Sequence, residues 1–194
     1  MYKRYMRLTT YNKILNVART HKKVASKIIE ISSLKKDDSI IDIGGGSGLL
    51  ANHLHNKFSN ITVLEPSVSM TNNITNSNFT IINSTIQEWR SQRKYDGIIC
   101  FDSVHHFANG YQNGYEQVMF GIYKMIDHAK KEVIIIEPRT STLQGGWIRF
   151  QENALAGIGS FFLNTKDYEE ILRGYNYTIE NFKHFYVVVI DIAI

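Results

Sequence analysis

Asp42, Gly44, Gly46 and Gly48 follow one another at two-residue spacing in the stretch SIIDIGGGSGLLANHL, residues 39–54. An acid ends an apolar run, four glycines and a serine follow within five residues, and an apolar-periodic segment begins. Glycine has no Cβ and tolerates positive φ, so such a stretch suits backbone that passes close to a ligand. Glu65 and Glu137 close the runs ITVLE and EVIIIE, and each precedes one of the two prolines, Pro66 and Pro138. Proline ends a strand by removing a donor, which places both carboxylates at strand ends. A third group, CFDSVHHF (100–107), carries the adjacent histidines His105 and His106. Imidazoles titrate near neutrality and serve as bases or metal ligands.

The glycine stretch admits three ligands. A phosphate loop needs Lys and then Ser or Thr directly after its glycines, and the next lysine is Lys57, so that reading fails. The dinucleotide pattern G-x-G-x-x-G/A fails from Gly44, because its third position is Leu49. From Gly46 it is met loosely by Gly48 and Ala51, but it then starts three residues past the apolar run. The series Asp42, Gly44, Gly46, Gly48 fits in register, directly after a strand.

That series, with Glu65 at the end of the next strand, NSTIQE (83–88) after the third and an HHF segment after the fourth, resembles the class I S-adenosylmethionine-dependent methyltransferases. The resemblance covers the chain from about residue 39 to its end. It implies a Rossmann-like α/β fold: a seven-stranded, mostly parallel sheet with an antiparallel C-terminal strand and helices on both faces. It implies S-adenosyl-L-methionine as cofactor, S-adenosyl-L-homocysteine as product, and transfer of a methyl group to an O, N or C atom of a small-molecule acceptor by in-line displacement. Asp42 matches the acid that orients the glycine loop and nears the amino group of the methionine moiety. Gly44, Gly46 and Gly48 match the loop, and Glu65 matches the acid that accepts two ribose hydroxyls, as a carboxylate can. Pro66, Ser67 and Met70 can pack near the ribose and adenine, although Met70 is equally well explained as core. The adenine would lie against Thr85 and Ile86. Thr85 stands where the family often has Asp, so the backbone of Ile86 would reach the base, with Gln87 and Ser84 as alternatives. Phe101, at the end of the fourth strand, borders the cofactor position.

For the acceptor, the resemblance places the HHF segment beside the sulfonium. The protein then supplies orientation, exclusion of water and, for a hydroxyl or ammonium acceptor, a base. His106 is the candidate base ahead of His105; the competing reading is that both pack or cap the following turn. A metal set of Asp102, His105 and His106 is not expected, because neighbouring residues rarely converge on one ion. After the fifth strand, Glu137, Arg139 and Trp147 are the candidate acceptor contacts, with sheet cover and surface roles as the alternatives.

These residues need elements to hold them. β-branched runs at 39–43, 61–65, 79–83, 95–101 and 132–137 alternate with helical patterns at 48–58, 67–75, 85–92 and 114–130, which argues a parallel sheet covered on both faces. In the last helix Val118, Ile122, Met125 and Ile126, with Tyr115, fall at helical spacing. A helix over 12–32 precedes the sheet, with Ile14, Leu15, Val24, Ala25, Ile28 and Ile29 among its apolar residues. Thr165 caps a helix before YTIENFKHF and YVVVIDIAI, which read as an antiparallel pair. One domain is expected: a helical cover over 1–36, a cofactor-binding core over 37–138, an acceptor cover over 139–175 and the strand pair over 176–194.

At 194 residues with 43% hydrophobic and 21% charged content, the chain has the composition of a globular domain. Its single cysteine, Cys100, excludes an internal disulfide and reads as a small buried hydrophobe. The formal charge of +4 permits nucleic acid without demanding it, and Lys3, Arg4 and Arg7 keep that partner open. No apolar run reaches membrane-spanning length, and the start lacks the apolar middle of a secretory signal. The expectation is a cytoplasmic protein with no membrane partner and with open oligomeric state. Two other classes compete. A nucleic-acid or protein methyltransferase is disfavoured by FDSV where related enzymes carry a Pro-Pro pair, by a Cys100 with no neighbouring proline, and by the lack of lysine at the fourth strand end. A non-catalytic cofactor-binding protein is disfavoured by the complete glycine series and Glu65.

Overall fold

The computed structural model describes residues 17–109, 112–155 and 159–192. Lys3, Arg4, Arg7, Ile14 and Leu15 lie outside the described residues. Helix α1 (Val17–Ile31) leads to β1 (Ser39–Ile43), α2 (Leu49–Leu54), β2 (Asn60–Leu64), α3 (Val68–Thr71), β3 (Thr80–Ile82) and β4 (Tyr95–Phe101). A 3-10 turn (Val104–Ala108) precedes α4 (Gly114–His128), β5 (Ala129–Pro138) and α5 (Leu143–Phe150). A π turn (Gln151–Leu155) extends α5, and α6 (Thr165–Ile171) precedes β6 (Asn176–Phe182) and β7 (Phe185–Asp191).

The strands form one seven-stranded sheet in the order β3-β2-β1-β4-β5-β7-β6. β1 to β5 run parallel, and β7 is antiparallel to both β5 and β6. Side chains alternate faces along each strand, so the β-branched runs feed two cores at once. Ile41, Ile43, Ile98, Cys100 and Ile135 meet α4 and α6 on one face. Ile40, Val63, Ile99 and Ile134 meet α1 and α2 on the other. Chain order reverses between β1 and β4, and open α/β sheets bind ligands at the carboxyl ends of strands at such a point. Among the described residues no helix is long and apolar enough to cross a membrane.

Three local expectations are corrected. The segment 85–92 is a turn rather than a helix. It makes one helical hydrogen bond, Trp89 N to Thr85 O at 2.8 Å. The carbonyls of Gln87 and Trp89 are then taken by Arg90 Nη1 at 2.6 and 3.0 Å and by Lys124 Nζ. Trp89 is 2% exposed; burying so large an apolar side chain is worth about 2–3 kcal/mol, more than another helical turn would add. The cap of α6 is Asn164, not Thr165: its side chain accepts from the N–H groups of Lys166 and Asp167, and Asp167 returns the bond to Asn164 N. The antiparallel C-terminal pair is present, but Phe185 opens its second strand instead of ending the first: the turn is Lys183 and His184, with Phe182 opposite Phe185. Lys183 has φ 57°.

Candidate functional site

The glycine turn is built by close approach. Gly44, Gly46 and Gly48 all have positive φ, at 72°, 55° and 73°. Gly44 N donates to Leu64 O at 2.7 Å, which docks the turn on the end of β2. A Cβ on Gly44 would fall 2.0 Å from Ser103 Oγ, so glycine is what lets β1 and β4 finish side by side. Gly46 is different: a Cβ there would meet Met70 Cε at 3.3 Å, the mobile end of a flexible side chain. Glu65 spans the gap. Its Oε2 accepts from Gly46 N at 3.1 Å and its Oε1 from Ser67 N at 2.9 Å. Burial raises the Glu65 pKa, opposed by those two N–H donors. Asp42 is buried on the α1 and α2 side beneath Gly45, and its Oδ2 has no hydrogen-bond partner. Burial, and then the nearby Glu65 charge, push its pKa up to about 7. An unpartnered carboxylate oxygen under a glycine turn is costly unless a ligand uses it.

The neighbouring residues frame this turn. Pro66 is exposed. Asn83 Nδ2 donates to Glu65 O at 3.1 Å and Thr71 Oγ1 at 2.9 Å, holding the ends of β2 and β3 together. Thr85 Oγ1 is used internally, accepting from Glu88 N at 3.1 Å. The Ile86 side chain is in the core. Gln87 Nε2 donates to Phe107 O at 2.7 Å and so joins this edge to the 3-10 turn. The Phe101 ring packs between His21 of α1 and Phe185 of β7, with centroids 5.1 and 5.4 Å away.

The second group forms at the ends of β4 and β5. Asp102 has φ 54°, uncommon for a residue with a side chain, and its buried Oδ1 has no partner. Glu137 is buried and fully engaged. Its Oε1 accepts from Ser103 N at 2.7 Å and Val104 N at 2.8 Å, and its Oε2 meets His105 Nδ1 at 2.5 Å. Glu137 therefore braces the 3-10 turn, a different place from the acceptor contact expected of it. His105 is 1% exposed and stacks on Phe162 at 4.4 Å. Its Nε2 faces Glu152, 3.2 Å from Oε2. Burial opposes charge on His105, but Glu137 and Glu152 outweigh it and hold its pKa well above the ordinary value. Burial and then the His105 charge push His106 down to about 3. His106 Nδ1 lies 3.2 Å from Ser160 Oγ and 3.3 Å from Asn109 Nδ2, and its Nε2 lies 3.7 Å from Glu152 Oε1.

Asp42, Gly44, Gly46 and Glu65 thus come together at the ends of β1 and β2, and His105, His106 and Glu137 at the ends of β4 and β5. Arg139 and Trp147 lie elsewhere. Arg139 reaches Lys183 O at 3.4 Å and sits over the Tyr186 ring at 5.5 Å. Trp147 is 54% exposed, stacks on Phe150, and borders a depression of about 440 Å³ lined by residues of 140–150. The sequence reading missed Glu152 and Ser160. No periodic signal marks Glu152, because its π turn shifts side chains off the helical repeat. The His105 and His106 rings lie 4.1 Å apart and both face Glu152.

Residues 17–181 match the model of a family described as a methyltransferase domain. The chain belongs to that methyltransferase domain family. Among curated proteins the domain is 27% identical over 157 residues to a ubiquinone biosynthesis O-methyltransferase of Rickettsia canadensis, covering 78% of this chain and 61% of that protein. It is 27% identical over 160 residues to the protein of the same name from Rickettsia bellii, covering 78% and 60%. The chain spans about three fifths of the length of these curated relatives. Among solved structures, magnesium protoporphyrin IX methyltransferase from Synechocystis, with bound S-adenosylhomocysteine, superposes with TM-score 0.65 at 16% identity, over 95% of this chain and 86% of that one. An S-adenosylmethionine-dependent methyltransferase from Clostridium acetobutylicum gives TM-score 0.66 at 14% identity, over 95% and 97%. These likenesses establish the fold expected from the glycine series: the methyltransferase domain is a class I, Rossmann-like one.

Proposed function

We propose that the protein transfers a methyl group from S-adenosyl-L-methionine to a small-molecule acceptor, leaving S-adenosyl-L-homocysteine. The carrying observation is the pair Asp42 and Glu65 around the glycine turn. One offers a buried carboxylate oxygen without a partner, and the other is fixed at the rim by two backbone N–H groups. The site's chemistry fits the cofactor. Glu65 oxygens retain lone pairs for ribose hydroxyls, and the Asp42 carboxylate complements an ammonium group. Gly46 leaves room for the ligand against Met70. When bound, the cofactor supplies a methyl group already activated on a sulfonium.

The chain's own task is then to hold, orient and keep dry. The 3-10 turn with His105 and His106 is braced from β5 by Glu137 and covered by the segment around Ser160 to Phe162, whose Phe161 N donates to His105 O at 3.0 Å. The relatives named as O-methyltransferases support a hydroxyl as the acceptor group, and a hydroxylated ubiquinone precursor is the first compound to try. His106 is held neutral beside a charged His105. That makes it a weak base alone and supports an orienting role toward the hydroxyl.

Calorimetric titration with S-adenosylmethionine, S-adenosylhomocysteine and NAD, on the parent and on Gly46→Arg and Glu65→Ala, tests the reading. Binding of the first two by the parent, lost in Gly46→Arg and weakened roughly 10- to 100-fold in Glu65→Ala, is expected, since each charge-assisted hydrogen bond is worth about 1.5–3 kcal/mol. Binding of NAD instead would refute it. An acceptor screen then follows, with RNA affinity measured against salt; a steep salt response would favour a nucleic-acid acceptor.

A further inference from the structure

One potential ligand atom from each of His105, His106 and Glu152 lies within 4.8 Å of the others. We propose that these three residues form a binding site for one divalent transition-metal ion of the zinc class. The reasons are geometric and electrostatic.

The Nε2 atoms of both histidines face one carboxylate, at 3.2 Å for His105 to Oε2 and 3.7 Å for His106 to Oε1. Ligands bound tetrahedrally at about 2.0–2.2 Å stand roughly 3.4 Å apart; the two histidines meet different oxygens of the carboxylate, and one atom from each residue lies within 4.8 Å of the others, so modest side-chain closure would bring the three to an ion. The opposite ring nitrogens are occupied. His105 Nδ1 pairs with Glu137 Oε2, the carboxylate–histidine arrangement that orients a metal-binding ring and leaves Nε2 to the ion. His106 Nδ1 lies beside the Asn109 amide, whose Oδ1 is buried and unpartnered. Turning that amide over gives Oδ1 the ring N–H as its donor and leaves His106 Nε2 with a free lone pair.

The charges agree. Glu137, Glu152 and Asp102 surround the two imidazoles, and Asp102 Oδ1 is buried without a hydrogen-bond partner. A divalent ion at this point would offset the charge of two carboxylates, where one imidazolium offsets one. Two nitrogens and one oxygen suit zinc, cobalt, iron or manganese better than the all-oxygen preference of magnesium or calcium. Three protein ligands leave a coordination position open. The segment that carries Glu152 is pinned in place by the reciprocal bonds of Asn153 with Ser160, at 3.0 and 2.7 Å.

The consequence for catalysis rests on the function proposed above: the open position would take the acceptor hydroxyl and lower its pKa, its proton leaving to solvent as the oxygen takes the methyl group, and His106 is a ligand rather than a free base. The metal site itself does not depend on that reading.

Chelator-stripped protein is titrated with Co2+, followed by visible absorbance and calorimetry, with S-adenosylhomocysteine titrated in parallel. Expected are one ion per chain with d–d bands of a nitrogen- and oxygen-ligated site, competition by Zn2+, loss of the bands in His106→Ala and Glu152→Gln, and parent-like uptake in His53→Ala. Melting curves confirm that each variant is folded. No uptake by the folded parent, or undiminished uptake by both His106→Ala and Glu152→Gln, overturns the site. Cobalt uptake without S-adenosylhomocysteine binding would sink the methyltransferase reading and leave the metal site standing; the reverse result would do the opposite.

Discussion

Ser103 Oγ occupies the space that a Cβ on Gly44 would need, only 2.0 Å from it, and donates to Gly44 O at 3.3 Å. Gly44→Ala is therefore expected to destabilise the fold by roughly 2–4 kcal/mol, the sum of a left-handed residue with a side chain and an overpacked contact. Urea unfolding measures it. Ser103→Gly in the same chain should recover the overpacking part, because the two positions share one space. A loss under about 0.5 kcal/mol for Gly44→Ala would contradict the packing described.

Gly46→Arg should behave in the opposite way. A Cβ at Gly46 meets only the flexible tip of Met70 within 4 Å, at 3.3 Å, so the backbone cost of the substitution is mainly the positive φ, about 1–2 kcal/mol. The variant is expected to stay folded by circular dichroism while losing S-adenosylhomocysteine binding. Retained binding would place the cofactor elsewhere.

The Asp42 carboxyl titrates at about 7 in the fold against 3.8 ordinarily. The native state thus holds this proton more tightly than the unfolded chain. Asp42 contributes most to stability at low pH, and that contribution falls as pH rises from about 4 to about 7, then levels off. Asp42→Asn removes the dependence, so the variant's stability relative to the parent should grow across that window in urea unfolding. A pH-independent difference would contradict the burial assigned to Asp42. If its carboxylate receives the cofactor ammonium, binding releases a proton below about pH 7, visible by calorimetry in buffers of different ionisation enthalpy.

Tyr168 is fully buried with an unpartnered hydroxyl. Tyr168→Phe should be neutral or stabilising by up to about 1 kcal/mol, since it removes a polar group that gains no bond in the core. A destabilisation above about 1 kcal/mol by chemical denaturation would mean the hydroxyl does have a partner.

The parts of this domain that repeat were legible in the sequence. β-branched runs between helical patterns gave the sheet, and the Asp42, Gly44, Gly46, Gly48 series with Glu65 at the next strand end located the turn, because positive φ restricts residue choice at the three glycines and the two acids stand at strand ends. The acceptor side was less legible. Glu137 ends a strand as Glu65 does, yet it turns inward to brace His105, and a strand-end acid does not reveal which neighbour it will meet. Glu152 stands in a π turn without a periodic signature, and Arg139 is drawn to the hairpin by Lys183 and Tyr186. The segment 85–92 reads as helical from its sequence; Lys124, far along the chain, takes the carbonyls of Gln87 and Trp89 instead.

The brace from Glu137 gives the 3-10 turn its own foundation on β5, separate from the foundation of the glycine turn on β2. Ser103 is a seam between them, since it is held by Glu137 and touches Gly44. Inheritance can then rework the segment after β5 freely, so long as that seam is kept.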